Sequence, residues 1–265
     1  MPARKLTAHA VEKPWGRPTL GDDFARFENG APIGEIWFDQ PASAELLVKY
    51  LFTSERLSIQ VHPDDAAAQA AGYPRGKDEA WYILDAAPDS TIALGPLQRL
   101  SAEELRSAAF DGSIVDLLDW RPVRPGDFIY SPAGTIHAIG AGLTLIEVQQ
   151  NLDLTYRLYD YGRPRELHLE DGAAVSTLAP FVPPPAPARP GLLAAGPKFV
   201  VERLSGTERV VETETTALLI PVTGTGTVDG ETFGPAECWS LTGRSTVTVP
   251  QGSTALLAYP DAASR

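Results

Sequence analysis

Histidine is scarce in this sequence, and two of the four, His62 and His137, stand among residues that together could hold a metal ion. Gln60 and His62 are two apart in LSIQVH, a run of strand-forming residues stopped by Pro63. Side chains two apart on a strand share a face, so the amide and the imidazole look the same way. Leu57, Ile59 and Val61 take the other face and fill a core. Glu79 opens the next strand-like run in GKDEAWYIL, Lys77 lies two residues before it, and His137 sits in GTIHAIG. Two imidazoles, one carboxylate and one amide oxygen form a borderline donor set suited to a divalent ion such as Zn2+. The complex keeps a single net positive charge, which polarises a bound hydroxyl or carbonyl. A lone histidine is more often structural than functional; the shared-face pair with a Glu and a second His lifts this set above that background. His9 and His168 have no such companions.

The elements that must position these residues are mostly strands. Beta-favouring runs fall at Ile33–Phe38, Leu46–Phe52, 57–62, 79–84 and 90–95, after a turn-rich opening around Pro14 and Gly16. Residues 63–73 read as a short helical turn, with Asp64 and Asp65 as caps and Gly72 at its end. The clear helical interval is 101–118, where Ser101 and Glu104 form a capping box and a second short helix follows Gly112. Residues 122–161 are strand-like again. PPPAPARPG, from Pro183, is an extended polyproline strap. The block 199–259 alternates in the strand manner and contains no histidine. Two β units are predicted, residues 1–182 with the polar constellation and residues 183–265 with the strap and a smaller unit.

The chain has 265 residues, enough to bury a core without disulfides or a structural metal. Lys+Arg is 22 against Asp+Glu 34, a net −12. Such a surface repels nucleic acid and anionic lipid, so neither is an expected partner. A local basic pocket can still take an anionic small molecule. The one cysteine, Cys238, excludes an intrachain disulfide and fits a reducing, cytoplasmic compartment. No apolar stretch is long enough to span a membrane. Glycine (23) and proline (24) exceed the roughly 12% usual for the pair, which favours many short strands over a doubly wound sheet.

From Gly126 the sequence GDFIYSPAGTIH places Gly134 and His137 after Pro132, and this resembles the second motif of the cupin superfamily. The first cupin motif normally supplies His-x-His and a Glu; here Gln60 holds the first His position and Glu79 comes late. LSIQVHPDD, GKDEAWYIL, PAGTIHAIGAG, IEVQQNLDLTYRLYDYGR and the early KPWG and IGEIW together resemble the type I phosphomannose isomerases in their short bacterial form. The resemblance runs over residues 13–171. It implies a mostly β protein of two cupin-like jelly-roll barrels, one metal-binding and one degenerate, with a few short helices. It implies one zinc ion on Gln60, His62, Glu79 and His137, an acid/base role for Glu147, an essential arginine at Arg157 and a lysine at Lys77. The implied reaction interconverts mannose 6-phosphate and fructose 6-phosphate, so the expected partner is a small-molecule sugar phosphate, taken by a monomer or a dimer. Larger members carry a helical insertion for which 265 residues leave no room. After KPWG this chain reads RP where a second Gly is expected.

Aldose–ketose isomerisation needs a base that moves a proton between C2 and C1, and cations that oppose enediolate charge. In TLIEVQQ, Ile146 and Val148 turn to the wall and Glu147 turns inward, where burial raises its pKa. Arg157 and Lys77 supply positive charge; Arg163 and Arg165 read as loop cations, either able to help at a phosphate. Ser58 shares the Gln60 face and can donate to a ligand or substrate. Trp15 and Tyr130 read as core. Two other classes fit part of the pattern. A metal-cupin oxygenase would favour a His-richer set, and a non-catalytic sugar-binding or regulatory cupin would not need Glu147 and Arg157.

Overall fold

The structure, a computed structural model, describes residues 3–185 and 188–261. Among these residues it is mostly β, with nineteen strands and a few short helices. The strands form three antiparallel sheets. A six-stranded sheet runs in the order Ala8–Arg17, Ile33–Phe38, Leu46–Phe52, Leu143–Gln150, Glu79–Ala86, Phe128–Ser131. A five-stranded sheet runs Tyr156–Tyr159, Ile59–Val61, His137–Ile139, Thr91–Pro96, Leu118–Pro122. The third sheet has eight strands: seven between Leu192 and Pro260, and the N-terminal Ala3–Lys5, which pairs with Trp239–Val249.

The six-stranded sheet is covered on both faces, and its sequence says why. Leu46–Phe52 and Leu143–Gln150 are buried at every position; strands covered on both sides read as continuous apolar runs rather than alternating ones. One face carries Val48, Tyr50, Ile146 and Val148 against Phe199, Leu218, Ile220 and Leu256 of the eight-stranded sheet. The other face carries Leu51, Trp81, Ile83 and Leu145 toward Ile92, Leu94 and Ile139 of the five-stranded sheet and toward Leu57, which precedes it. Helix Ala102–Asp111 and helix Leu169–Val175 close the outer face of that sheet, with Leu105, Ala108 and Ala173 on Ile59, Val61 and Ala138.

Local signals explain the helices. Ser101 and Glu104 form both bonds of the capping box, and Gly112 ends the helix at φ 86°, a conformation that costs glycine little. Asp64 caps Asp65–Ala70, its carboxylate accepting from the Ala67 amide at 2.8 Å. The opening departs from the turn-rich expectation: Ala8–Arg17 is a strand whose pairing slips on both sides of Glu12, and these irregularities absorb Pro14. Gly16 belongs there because an added Cβ would meet the Ile33 backbone at 2.5 Å.

Candidate active site

Two short strands and the start of a third bring the donor atoms together. Gln60 and His137 stand directly opposite each other on paired strands. His62 follows the end of its strand, fixed by the Gly134 amide, which donates to its carbonyl at 2.8 Å. Glu79 begins a strand of the facing sheet. Its Oε1 lies 2.8 Å from His137 Nε2 and its Oε2 lies 3.4 Å from His62 Nε2. All three residues are buried, and they are the one His/Cys/Asp/Glu cluster of this kind among the described residues.

The outer ring nitrogens decide how the imidazoles face. His62 Nδ1 lies 2.9 Å from the Leu154 carbonyl, and His137 Nδ1 lies 2.9 Å from the Thr135 carbonyl. A carbonyl only accepts, so Nδ1 carries the proton and each Nε2 turns a lone pair inward. Burial, reinforced by Lys77, lowers the His62 pKa to about 3 against the pull of Glu79, so this ring is neutral at ordinary pH. For Glu79, burial opposes ionisation, yet the Lys77 ammonium, the largest opposing influence, holds its carboxyl well below the usual range. Despite the short separations, neither Glu79 oxygen accepts a well-angled hydrogen bond. The Lys77 ammonium reaches only the His62 and Glu79 Oε2 side of the cluster, at 3.0 and 2.9 Å, and the inward nitrogens and the carboxylate remain donors of the kind a divalent ion takes. The donor set therefore fits a divalent metal ion. Gln60 stands at the fourth corner: its Nε2 is 3.2 Å from His137 Nε2 and its Oε1 accepts from Ser58 Oγ at 3.1 Å. Turning the amide by half a rotation presents the oxygen to the ion, and the Ser58 hydroxyl can then accept instead.

Next to this cluster, with Gln60 and Lys77 in its wall, lies a polar cavity of about 370 Å³. Its lining carries five cationic side chains (Lys13, Lys49, Lys77, Arg157, Arg165) against three carboxylates (Glu35, Glu147, Asp153), a local sign opposite to that of the whole chain. A larger cavity of about 550 Å³ lies under the proline strap, but its walls are mainly apolar and it contains no donor cluster.

Glu147 occupies the cavity wall in a row set by strand register. Trp37 pairs with Lys49, Lys49 with Glu147, and Glu147 with Trp81. The Trp81 indole donates to Glu147 Oε2 at 3.2 Å and Lys49 Nζ lies 3.8 Å from Oε1. Burial raises the Glu147 pKa; Lys77 and Lys49 counter it, Glu79 and Glu35 reinforce it, and the net direction is up. Burial also lowers the Lys49 pKa, against the pull of Glu147 and Glu35, and its ammonium sits 4.0 Å over the Trp37 ring. Lys49 and Glu35 escaped the sequence reading. A single lysine inside LLVKYLF is the signal that pointed to it, because a charge in an otherwise buried strand must face a partner.

The remaining candidates divide. Lys77 precedes its strand, yet its Nζ reaches Glu79 Oε2 at 2.9 Å and His62 Nε2 at 3.0 Å. Arg157 pairs with Gln60 in register and lines the cavity; its Nη1 donates to the Glu166 carbonyl at 2.7 Å, while its buried Nε has no hydrogen-bond partner. Arg165 also lines the cavity, held by Asp160, whereas Arg163 bridges Asp160 and Glu55. Trp15 is both core and lining. Tyr130 is elsewhere, donating to Asp78 Oδ2 at 2.6 Å.

No profile of a known protein family matches the chain. A mannose-6-phosphate isomerase of Streptococcus mutans is 37% identical over 225 residues, which span 75% of this chain and 70% of that one. The crystal structure of the mannose 6-phosphate isomerase from Bacillus subtilis superposes with a TM-score of 0.82 at 26% identity, over 98% of this chain and 100% of that one. A zinc-bound mannose 6-phosphate isomerase shares the fold at a TM-score of 0.67 and 15% identity, covering 98% of this chain and 100% of that one. Extended identity to a relative aligned over most of its length, joined to a like fold and a matching two-His, one-Glu cluster, places this chain in the type I mannose-6-phosphate isomerase family.

Proposed function

We propose that the chain interconverts mannose 6-phosphate and fructose 6-phosphate, with a single Zn2+ held by Gln60, His62, Glu79 and His137. The observation that carries this reading is one geometry: inward-facing imidazole nitrogens and a carboxylate next to a cation-rich cavity that Gln60 and Lys77 line, together with a buried glutamate of raised pKa. When bound, the ion supplies Lewis-acid polarisation of the sugar's oxygen atoms. The chain's own residues do the rest. Glu147 takes the proton from C2 of the open-chain aldose and returns it to C1, and the reverse reaction runs through the same carboxylate. Its raised pKa makes it a stronger base than an exposed glutamate. Lys77 and Arg157 oppose the charge that develops on the enediolate oxygens. Arg165 adds positive charge for an anionic substrate, which supports a phosphorylated sugar over a free one.

The same reading extends to architecture and location. The five- and six-stranded sheets form the metal-binding jelly-roll barrel within residues 1–182, while Ala3–Lys5 pairs into the other unit. The strap and the strands that follow, residues 183–265, form a smaller degenerate barrel with no donor cluster among its described residues. The lone, buried Cys238 supports a reducing, cytoplasmic setting. The test is direct: zinc-loaded protein is incubated with mannose 6-phosphate and, separately, with free mannose, and the ketose is followed by NMR. Fructose 6-phosphate from the first and little ketose from the second is the expected outcome. No turnover of mannose 6-phosphate by fully metallated protein would overturn the proposal.

A further inference from the structure

Three backbone segments aim the proposed ligands: 62–65 for His62, 76–79 for Glu79, and 132–137 for His137. They are fastened to one another. The Lys77 amide donates to the Pro63 carbonyl at 3.0 Å, and the Gly134 amide donates to the His62 carbonyl. Asp78, between Lys77 and Glu79, accepts from the Ala133 amide at 3.0 Å through Oδ1 and from Tyr130 through Oδ2. Gly76 lies so close to the 63–65 backbone that a Cβ there would meet Asp64 at 2.4 Å. The His62 and Glu79 segments therefore cannot shift independently.

A turn from the eight-stranded sheet reaches this junction at two points. Lys198 Nζ donates to Asp65 Oδ2 at 2.6 Å. The other oxygen of Asp65 accepts from the Gly76 amide at 2.7 Å and from Gln150 Nε2 at 3.0 Å, and Gln150 Oε1 in turn accepts from the Asp78 amide at 2.9 Å. Gly196 of the same turn lies flat on the Tyr130 ring, where a Cβ would meet Cζ at 2.4 Å. Both routes end on Asp78, next to Glu79. We infer that Lys198 is a positioning residue for the metal site, acting through Asp65 on the segment that carries Lys77 and Glu79. This rests on the reading of His62, Glu79 and His137 as metal ligands. It gives the histidine-free unit a role in setting metal affinity as well as covering apolar surface.

The ion pair is partly exposed, with side-chain exposures of 23% and 31%, so as a surface bridge it would add little to stability. A positioning role makes a different demand: metal affinity must change while stability barely does. The experiment titrates metal-free protein with zinc against a chelator of known affinity, and follows amide exchange at Gly76 and Asp78. K198M, which keeps the aliphatic stem, is expected to weaken zinc binding about 10-fold, the lower end for an outer-shell partner, and to speed exchange at both amides. K198R is expected to restore most of the affinity. G196A should weaken binding by the second route. R189M breaks a 2.9 Å ion pair to Glu202, in the same sheet and away from the site, and should leave affinity unchanged. Wild-type affinity in K198M, or an equal loss in R189M, would overturn the inference. H137A tests the ligand reading separately: retained stoichiometric zinc there would remove the site itself, whatever K198M does.

Discussion

Glu147→Gln separates proton transfer from everything else the glutamate does. The amide keeps the size of the side chain and still offers an oxygen to the Trp81 indole, which now donates at 3.2 Å. What disappears is the negative charge 3.8 Å from Lys49 and the capacity to accept a C–H proton. At an effective dielectric of about 20, the lost attraction to Lys49 is on the order of 4 kcal/mol. It is offset by relief from desolvation and from repulsion by Glu79 and Glu35, and the upward pKa shift shows that these opposing effects outweigh the attraction. A carboxyl whose pKa is raised by folding destabilises the protein once the pH exceeds the unfolded-state pKa. Glu147→Gln is therefore expected to match or exceed wild-type Tm at pH 7, with any advantage vanishing at acid pH, where both side chains are neutral. Turnover should fall by about 10²–10⁴, or roughly 3–5 kcal/mol of transition-state stabilisation. The assay is conversion of mannose 6-phosphate in D2O, with zinc content measured on the same sample. Wild-type kcat/KM should also decline as pH falls through the raised pKa of Glu147. Near-normal turnover with intact zinc would refute the assignment and pass the base role to Lys77.

Further outcomes are expected from the same geometry. His62→Ala should strip metal and activity together, because it removes one inward lone pair and leaves Glu79 buried with fewer partners; metal analysis of the purified variant checks it. Arg157→Lys keeps the charge but loses the planar fork, one arm of which donates to the Glu166 carbonyl, so kcat should fall with zinc unchanged. Glu202 is held down to about 2: burial raises its pKa, but Arg209, Tyr259 and Arg189 outweigh that effect. Its contribution to stability is present above the usual carboxylate pKa and fades as pH drops toward about 2. The Tm gap between wild type and Glu202→Gln should accordingly be widest near neutrality and close on acidification.

How far the sequence discloses the site depends on the range of each contact. The strand period places Gln60 and His62 on one face, and Gly134 with Pro132 marks the turn that aims His137; these are local facts. Capping residues disclose the helix at Ser101 for the same reason. Lys49 is different: it meets Glu147 through the pairing of Leu46–Phe52 with Leu143–Gln150, which are distant in sequence. Asp65 reads as a helix cap beside Asp64, yet it accepts from Gly76, Gln150 and Lys198, contacts that exist only after three segments have met. Proline and glycine at 14 and 16 argue for a turn, and they fall where the pairing with Ile33–Phe38 breaks: Glu12 and Arg17 both face Ile33, and the residues between them bulge out of register.

The pairing of Ala3–Lys5 with Trp239–Val249 has a consequence for the order of events during synthesis. Lys5 and Glu237 form an ion pair across 232 residues of chain. Closing a flexible loop of that length costs roughly 5 kcal/mol in entropy, against a three-residue strand that returns few hydrogen bonds. The strand therefore docks only after the intervening sheets have drawn its partner close. At about 5–20 residues per second, the ribosome leaves the first strand without its partner for roughly 10–50 s. During that interval the emerging molecule exposes an unsatisfied backbone edge, and a chaperone that shields amino-terminal segments would have its longest opportunity there.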